Sequence, residues 1–302
     1  MSRRMIVLLL AGMLLCSQAH AVLFSFVGDG TFDPEGSLQA QAKFMADPGS
    51  QDLEVWLANT GPDVMVPSQV LTALFFDIRD WNQYGPTIDQ PLTPESASLL
   101  SDLDPPAPNP AVARFVPYDK NGHLVAGYLD PNVAPDQYNI GGEWAYGYFP
   151  GATSEAPGGT TQGISSSGLG LFGAGNLNGP NLAPPRNGAV DGVQYGLLSI
   201  NDNPSTGNNA VTGRENNPQP LVWYHATFQV DLPGQVVWGD HWTIQNVWFQ
   251  YGTATSEPEI GPLYVPGYTV PPPGVPEPAS LCLLGLAGGA IATVVKKRKK
   301  AA

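Results

Sequence analysis

GSLQAQAKFMAD (36–47) and DLEVWLANT (52–60) alternate apolar and polar residues with a period of two. In the first run Leu38, Ala40, Ala42 and Phe44 point one way, and in the second Leu53, Val55 and Leu57 do the same. That is the pattern of a strand with one face in a core. Further runs of the same kind are VLTALFFDI from Val70, GHLVAGYL from Gly122, VQYGLLSI from Val193, VWYHATFQVDL from Val222 and WTIQNVWFQYG from Trp242. The 31 prolines and 35 glycines punctuate the chain between them, and no segment sustains a 3.6-residue apolar period. The expected fold is all-β: one β-sandwich of jelly-roll type over 22–261. The connections 86–110 and 150–186 are long for structureless loops, and are read as functional surface or solvated insertions.

The two ends carry different signals. Residues 1–21 read as a secretory signal peptide: Arg3 and Arg4 make the charged start, Met5 to Leu15 the apolar stretch, and Ala19-His20-Ala21 the cleavage site. The mature chain is expected to begin at Val22. Cys16 invites a lipoprotein reading, but Leu14 and Leu15 precede it where a small residue is needed. The other cysteine is Cys282, so the region between has no disulfide and no thiolate metal site.

Net charge over the whole chain is −13. Two of its 13 Lys and Arg lie in the signal and five in Lys296, Lys297, Arg298, Lys299 and Lys300. Between Val22 and Val275 six cations face 25 carboxylates, a charge of about −19. Such a surface repels phosphate backbones and anionic lipid, which excludes nucleic acid as a partner.

At the C-terminus the order is specific. A proline-rich stretch, 262–274, is expected to be an extended stalk. Val275-Pro276-Glu277-Pro278-Ala279 follows, then ASLCLLGLAGGAIATVV (279–295), uncharged and long enough as a helix for roughly 25 Å. That is the short limit for a membrane span. The cluster KKRKK acts as stop-transfer charge and would keep the C-terminus cytoplasmic with the main domain outside. VPEP, a Gly-rich apolar helix and a terminal basic tail together (275–302) closely resemble the PEP-CTERM sorting signal of Gram-negative bacteria. The resemblance implies that the intramembrane enzyme exosortase removes the tail around the motif. It also implies a setting of extracellular matrix and exopolysaccharide. Within the exported region, LANTGPDVMVPSQVLTALFFDI, GGEWAYG, GISSSGLGLFG, DGVQYGLLS and VWFQYGTATSEPEI resemble one family of exosortase-dependent surface proteins, the XDD type. This implies location and fold unity, and supplies no catalytic residues.

Candidate chemistry is sparse. Gly168, Gly170 and Gly173 satisfy GxGxxG, with Asp191 about 20 residues on. The following NLNGPNLAPP cannot form the helix that would hold a pyrophosphate, so the segment reads as a flexible loop. His123, His225 and His241 make no HExxH and find no cysteine for zinc. Ser165, Ser166 and Ser167 read as turn residues without a GxSxG elbow. Glu143, Trp144 and Tyr146 are the candidate sugar-binding residues, because aromatic rings stack on sugars. With a second carboxylate such as Asp119 or Asp191, Glu143 would suit a glycosidase. Trp56, Trp81, Trp144, Trp223, Trp238, Trp242 and Trp248 could form a stacking face or fill a core. NDNP (201–204) and the many acids offer oxygen ligands for Ca²⁺ without EF-hand spacing, and no other cofactor is expected.

The expected function is that of a non-enzymatic, structural or adhesive protein of the cell surface or extracellular matrix. It would be exported by the Sec translocon, processed by exosortase, and held in the membrane by its C-terminal helix before processing. The alternative is a carbohydrate-binding module acting on exopolysaccharide, and a glycoside hydrolase stands third.

Overall fold

A computed structural model describes residues 22–32, 36–46, 49–80, 90–98, 114–116, 139–150, 156–168, 171–172, 177, 190, 192–202, 221–233, 238, 242–252 and 263–269. The signal peptide with Ala19 and Ala21, the motif Val275–Ala279, the apolar helix and the basic cluster Lys296–Lys300 lie outside these residues. So do the expected strand from Gly122, Asp119, Gly170, Gly173, Asp191, His123, His241 and Trp81. Among the described residues no helix is long and apolar enough to cross a membrane.

The protein is all-β. The strands are β1 (Val22–Phe32), β2 (Gly36–Ala46), β3 (Asp52–Asn59), β4 (Leu71–Asp80), β5 (Thr93–Ser98), β6 (Arg114–Val116), β7 (Ala145–Tyr148), β8 (Gln162–Ser165), β9 (Leu197–Leu198), β10 (Leu221–Trp223), β11 (His225–Asp231), β12 (Trp242–Tyr251) and β13 (Leu263–Thr269). Their order is β5-β11-β3-β2-β1-β13-β12-β4-β9-β10-β6, with β8 on β4 and β7 on β8. Among the described residues the helical elements between them are short 3₁₀ turns.

The alternation in β2 is realised: Leu38, Ala40, Ala42, Phe44 and Ala46 are buried, and the intervening residues are not. Together with Leu53, Val55 and Leu57 they enter the main core, which also takes Leu74, Phe76 and Ile78 of β4 and Phe249 and Tyr251 of β12. Phe44 and Phe76 have ring centroids 5.0 Å apart. In a flat sheet β2 and β4 would be four strand spacings apart, about 19 Å. The sheet therefore curls over its own inner face.

β13 makes the turn between the two halves. Leu263 to Pro266 pair with β12, and Gly267 to Thr269 pair with β1. The change of partner falls at Pro266, which has no N–H to give to a ladder. The expected domain boundary at 261 is thus displaced: 263–269, placed in a stalk by their prolines, form a strand inside the compact unit Ala21–Val270. The alternating Leu263, Val265 and Gly267 in LYVPGYT were the legible sign.

Two other expected strands are broken at left-handed residues. The run from Val222 is divided at Tyr224, with φ 82°, into β10 and β11. There the Tyr224 N–H donates to Leu198 O and its carbonyl accepts from Asn59 N, so one residue carries the chain from one ladder to the next. In VQYGLLSI only Leu197–Leu198 is strand. Tyr195 has φ 57° and Gly196 N closes a turn on Val193 O.

β3 is buried on both faces, Leu53 through Asn59. On its outer face Trp56 lies under the Lys43 ammonium, 4.1 Å from the ring centroid, and stacks on His225 at 5.6 Å. The half of the sheet around β4 also has a covered outer face, where Phe75, Phe149 and Phe172 pack on the cross-strand pair Gly147 and Gly163. A Cβ on Gly163 would lie 2.8 Å from Phe75, and one on Gly147 2.8 Å from Phe172. Ala156, Leu171 and Phe172 come from the 150–186 connection, which was expected to be one long loop but holds β8 (Gln162–Ser165) among its described residues.

Candidate functional site

The three residues singled out for sugar binding are close in the chain and differ in their surroundings. A 3₁₀ turn, Gly141–Glu143, ends at Trp144 and leads into β7. Trp144 is 0 % exposed, 4.8 Å from the Phe228 ring, and its indole N–H has no hydrogen-bond partner among the described residues. A stacking platform must be open to its ligand, so Trp144 is a core ring and the sugar-binding role expected of it is corrected.

Tyr146 is fixed at both poles of its hydroxyl. It accepts from Leu92 N at 2.8 Å and donates to the Gln162 side-chain oxygen, while the Gln162 amide donates to Gln90 O at 3.2 Å. Burial pushes the phenol well above the usual tyrosine range, opposed by the Leu92 N–H and reinforced by Tyr148. The hydroxyl ties β7 and β8 to the segment before β5.

Glu143 is half-buried, and its charge reaches Tyr195. Burial first, and then that carboxylate, raise the Tyr195 phenol far above its normal value. Both tyrosines stay neutral at physiological pH; Tyr195 is a core residue, and Tyr146 is a half-buried, hydrogen-bonded one packed against that core.

The other sequence candidates resolve locally. His225 is fully buried between Trp56 and Tyr224. Of the three serines read as turn residues, Ser165 ends strand β8 and only Ser166 and Ser167 lie in the bend that follows; Ser165 Oγ has Thr72 O and Ser167 O within donating distance and accepts from Ser167 N. Trp56, Trp144 and Trp238 are buried, while Trp223, Trp242 and Trp248 are half-buried against apolar clusters. Of the expected calcium loop, Asp202 accepts a hydrogen bond from Val64 N at 3.3 Å. Among the described residues no three His, Cys, Asp or Glu side chains are grouped to hold a metal.

At the end of the sheet where β1 begins, Asp52 and Asp231 are directly opposed across β3 and β11, with Glu95 nearby on β5. Burial, then Asp52 and Glu95, raise the Asp231 carboxyl above its ordinary value. A raised folded-state pKa means that the native state holds the proton more readily. The repulsion is therefore fully present above the folded pKa and is relieved as pH falls towards the unfolded value, about 3.9. Asp231→Asn should raise the urea midpoint at pH 7 by a gain below about 1 kcal/mol, since the pair is solvent-screened. The gain should vanish in acid; an unchanged or lowered midpoint at neutral pH would refute the repulsion.

At the opposite end the organiser is Asn59, which sequence reasoning missed. This side chain is 2 % exposed. It donates to Gln69 O at 3.1 Å and Leu197 O at 3.0 Å, and accepts from Gly61 N at 3.2 Å. Gly61 O in turn receives Ser199 Oγ and the Asn201 amide. Gln69 Oε1 accepts from Met65 N at 2.6 Å and from Val66 N at 3.3 Å. Held this way, the loop presents Met65 at 48 % exposure. The legible trace is an Asn two residues before a Gly at a strand end, an Asx turn.

No family model, curated protein or solved structure matches this chain.

Proposed function

We propose that this chain is an exosortase-sorted protein of the cell surface or extracellular matrix, exported by Sec, whose domain is structural or adhesive and catalyses no reaction. The reading rests on the two terminal signals. The structural observation that supports it best is the extent of the folded unit, Ala21–Val270. β1 starts at Val22, directly after the expected cleavage site, and β13 ends at Thr269, shortly before Val275. The fold thus occupies the interval between the two segments that processing would remove. In this reading the curled sheet is a β-sandwich of jelly-roll type, supported by the contact of Phe44 with Phe76 across its inner face. The loops ordered by Asn59 are the surface offered for adhesion, since binding residues favour loops held on a rigid scaffold.

The test is an intact mass of the protein recovered from envelope and medium of a host that has an exosortase. The expected species begins at Val22 and ends between Pro276 and Ala279. Retention of Lys296–Ala302 would overturn sorting.

A further inference from the structure

The outer face shared by β3 and β11 carries polar side chains that are closed off from solvent. Leu53, Val55 and Leu57 of β3 and Ala226, Phe228 and Val230 of β11 turn to the main core, so Trp56, His225 and Thr227 turn the other way. Trp56 and His225 are fully buried, and Thr227 is 4 % exposed. Trp56 and Thr227 are directly opposed in the antiparallel ladder, which puts their Cβ atoms about 5 Å apart. The Trp56 indole N–H and the Thr227 hydroxyl have no hydrogen-bond partner among the described residues. His225, two residues before Thr227 on the same face, stacks on the Trp56 ring at 5.6 Å. A buried polar group left without a partner is costly, and native proteins supply one from the chain or from ordered water. Two such groups side by side on one ladder mark a place where a single ligand serves both.

We propose that an internal water molecule is bound on the outer face of β3 and β11, accepting a hydrogen bond from the Trp56 indole N–H and sharing one with the Thr227 hydroxyl. The chemistry of the pair selects this ligand. An indole N–H only donates, whereas a hydroxyl both donates and accepts, so the ligand must accept from the first and do either with the second. Water meets both demands, and it is small enough for a face that solvent does not reach. Charge on this face favours a neutral ligand. Lys43, opposite Trp56 on β2, brings its ammonium to 4.1 Å from the ring centroid. Glu54, two residues before Trp56 on the same face, is buried and bonded to the Gln229 amide. With a cation and a carboxylate both at hand, neither sign of ion is preferred. The bound water adds a side-chain link across the β3–β11 ladder. It also fixes the indole on which the Lys43 contact and the His225 stack depend. The inference concerns the folded domain and does not rest on the terminal signals.

Thr227→Val tests the site, because valine keeps the shape of threonine and removes the hydroxyl. If that hydroxyl were simply unsatisfied, its removal would be neutral or stabilising. With the water bound, the substitution takes away one of its partners, and the urea midpoint should fall with a loss of about tenfold in the folding equilibrium constant. Thr227→Ser keeps the hydroxyl and should keep the water. The direct readout is magnetisation transfer between water and the Trp56 indole proton. It is measured by NMR on the full chain in detergent micelles, with nitrogen-15 in the tryptophan indoles. The Trp56 signal is identified by its loss in Trp56→Phe. A cross-peak to bound water is expected in the native chain and in Thr227→Ser, and its disappearance in Thr227→Val. A native chain without the cross-peak overturns the proposal, and so does a cross-peak that survives in Thr227→Val. A Thr227→Val midpoint equal to or above the native one overturns it as well. Should Thr227→Val fail to fold, the native and Thr227→Ser spectra decide by themselves: the cross-peak in both supports the water, and its absence from either overturns it.

Discussion

Replacing Trp144 with Ala will destabilise the domain by about 3–5 kcal/mol, the range for removing a large aromatic side chain from a packed core. The indole is fully buried between β7 and β11 and touches Phe228. The following strand, β7, is held in place through Tyr146 by Leu92 and Gln162, which limits how far it can shift into the space. Trp144→Phe should cost distinctly less. It keeps an apolar ring and removes an indole N–H that has no partner among the described residues. Urea denaturation followed by far-UV circular dichroism measures both. If Trp144→Ala left stability unchanged while abolishing binding to a polysaccharide, the ring would be a ligand platform and the core assignment would fail.

The second large effect is expected at Asn59. Asn59→Leu keeps the approximate volume but removes two donors from buried carbonyls, Gln69 O and Leu197 O, and one acceptor from Gly61 N. Leaving buried polar groups unsatisfied costs about 1–3 kcal/mol each, and water reaching the loop would recover part of it. A loss of about 2–4 kcal/mol follows, on the same principle. Asn59→Asp is more informative, since it retains the acceptor for Gly61 but turns an anion towards two carbonyl oxygens. Its destabilisation should be greatest at neutral pH and fall in acid, where a protonated carboxyl can again donate once. Hydrogen exchange of the Met65 and Val66 amides, both bonded to Gln69, should accelerate in either variant. Unchanged exchange with unchanged stability would show that Asn59 does not organise these loops.

Local pattern carried the strands well wherever one face is apolar and the other is not. β2 is the clearest case: its alternation is the burial pattern itself. It served less well where both faces are covered, as in β3, because Trp56 opposite Lys43 looks like part of a solvent-facing row until His225 and Tyr224 are brought over it. It misread the Trp144 environment for a related reason. An aromatic run such as WAYGY serves a core or a binding surface equally, and only the packing of β7 against Phe228 decides between them. The proline-rich 262–274 misled in the opposite direction. Proline disfavours a central strand, yet Pro266 is accommodated because the strand changes partner there.

Residues by themselves determine the all-β class, the charge and cysteine content of the region between the ends, and the composition of the ends themselves. These depend on composition and on neighbours a few positions apart, which the chain carries wherever it is. The tertiary structure alone decides that β13 bridges β12 and β1, that Asn59 ties together segments from Gln69 to Leu197, and that Thr269 lies opposite Phe26. Those relations join residues up to hundreds of positions apart. They follow from closing one curled sheet around a common core, and no short-range pattern encodes which strands become neighbours when it closes.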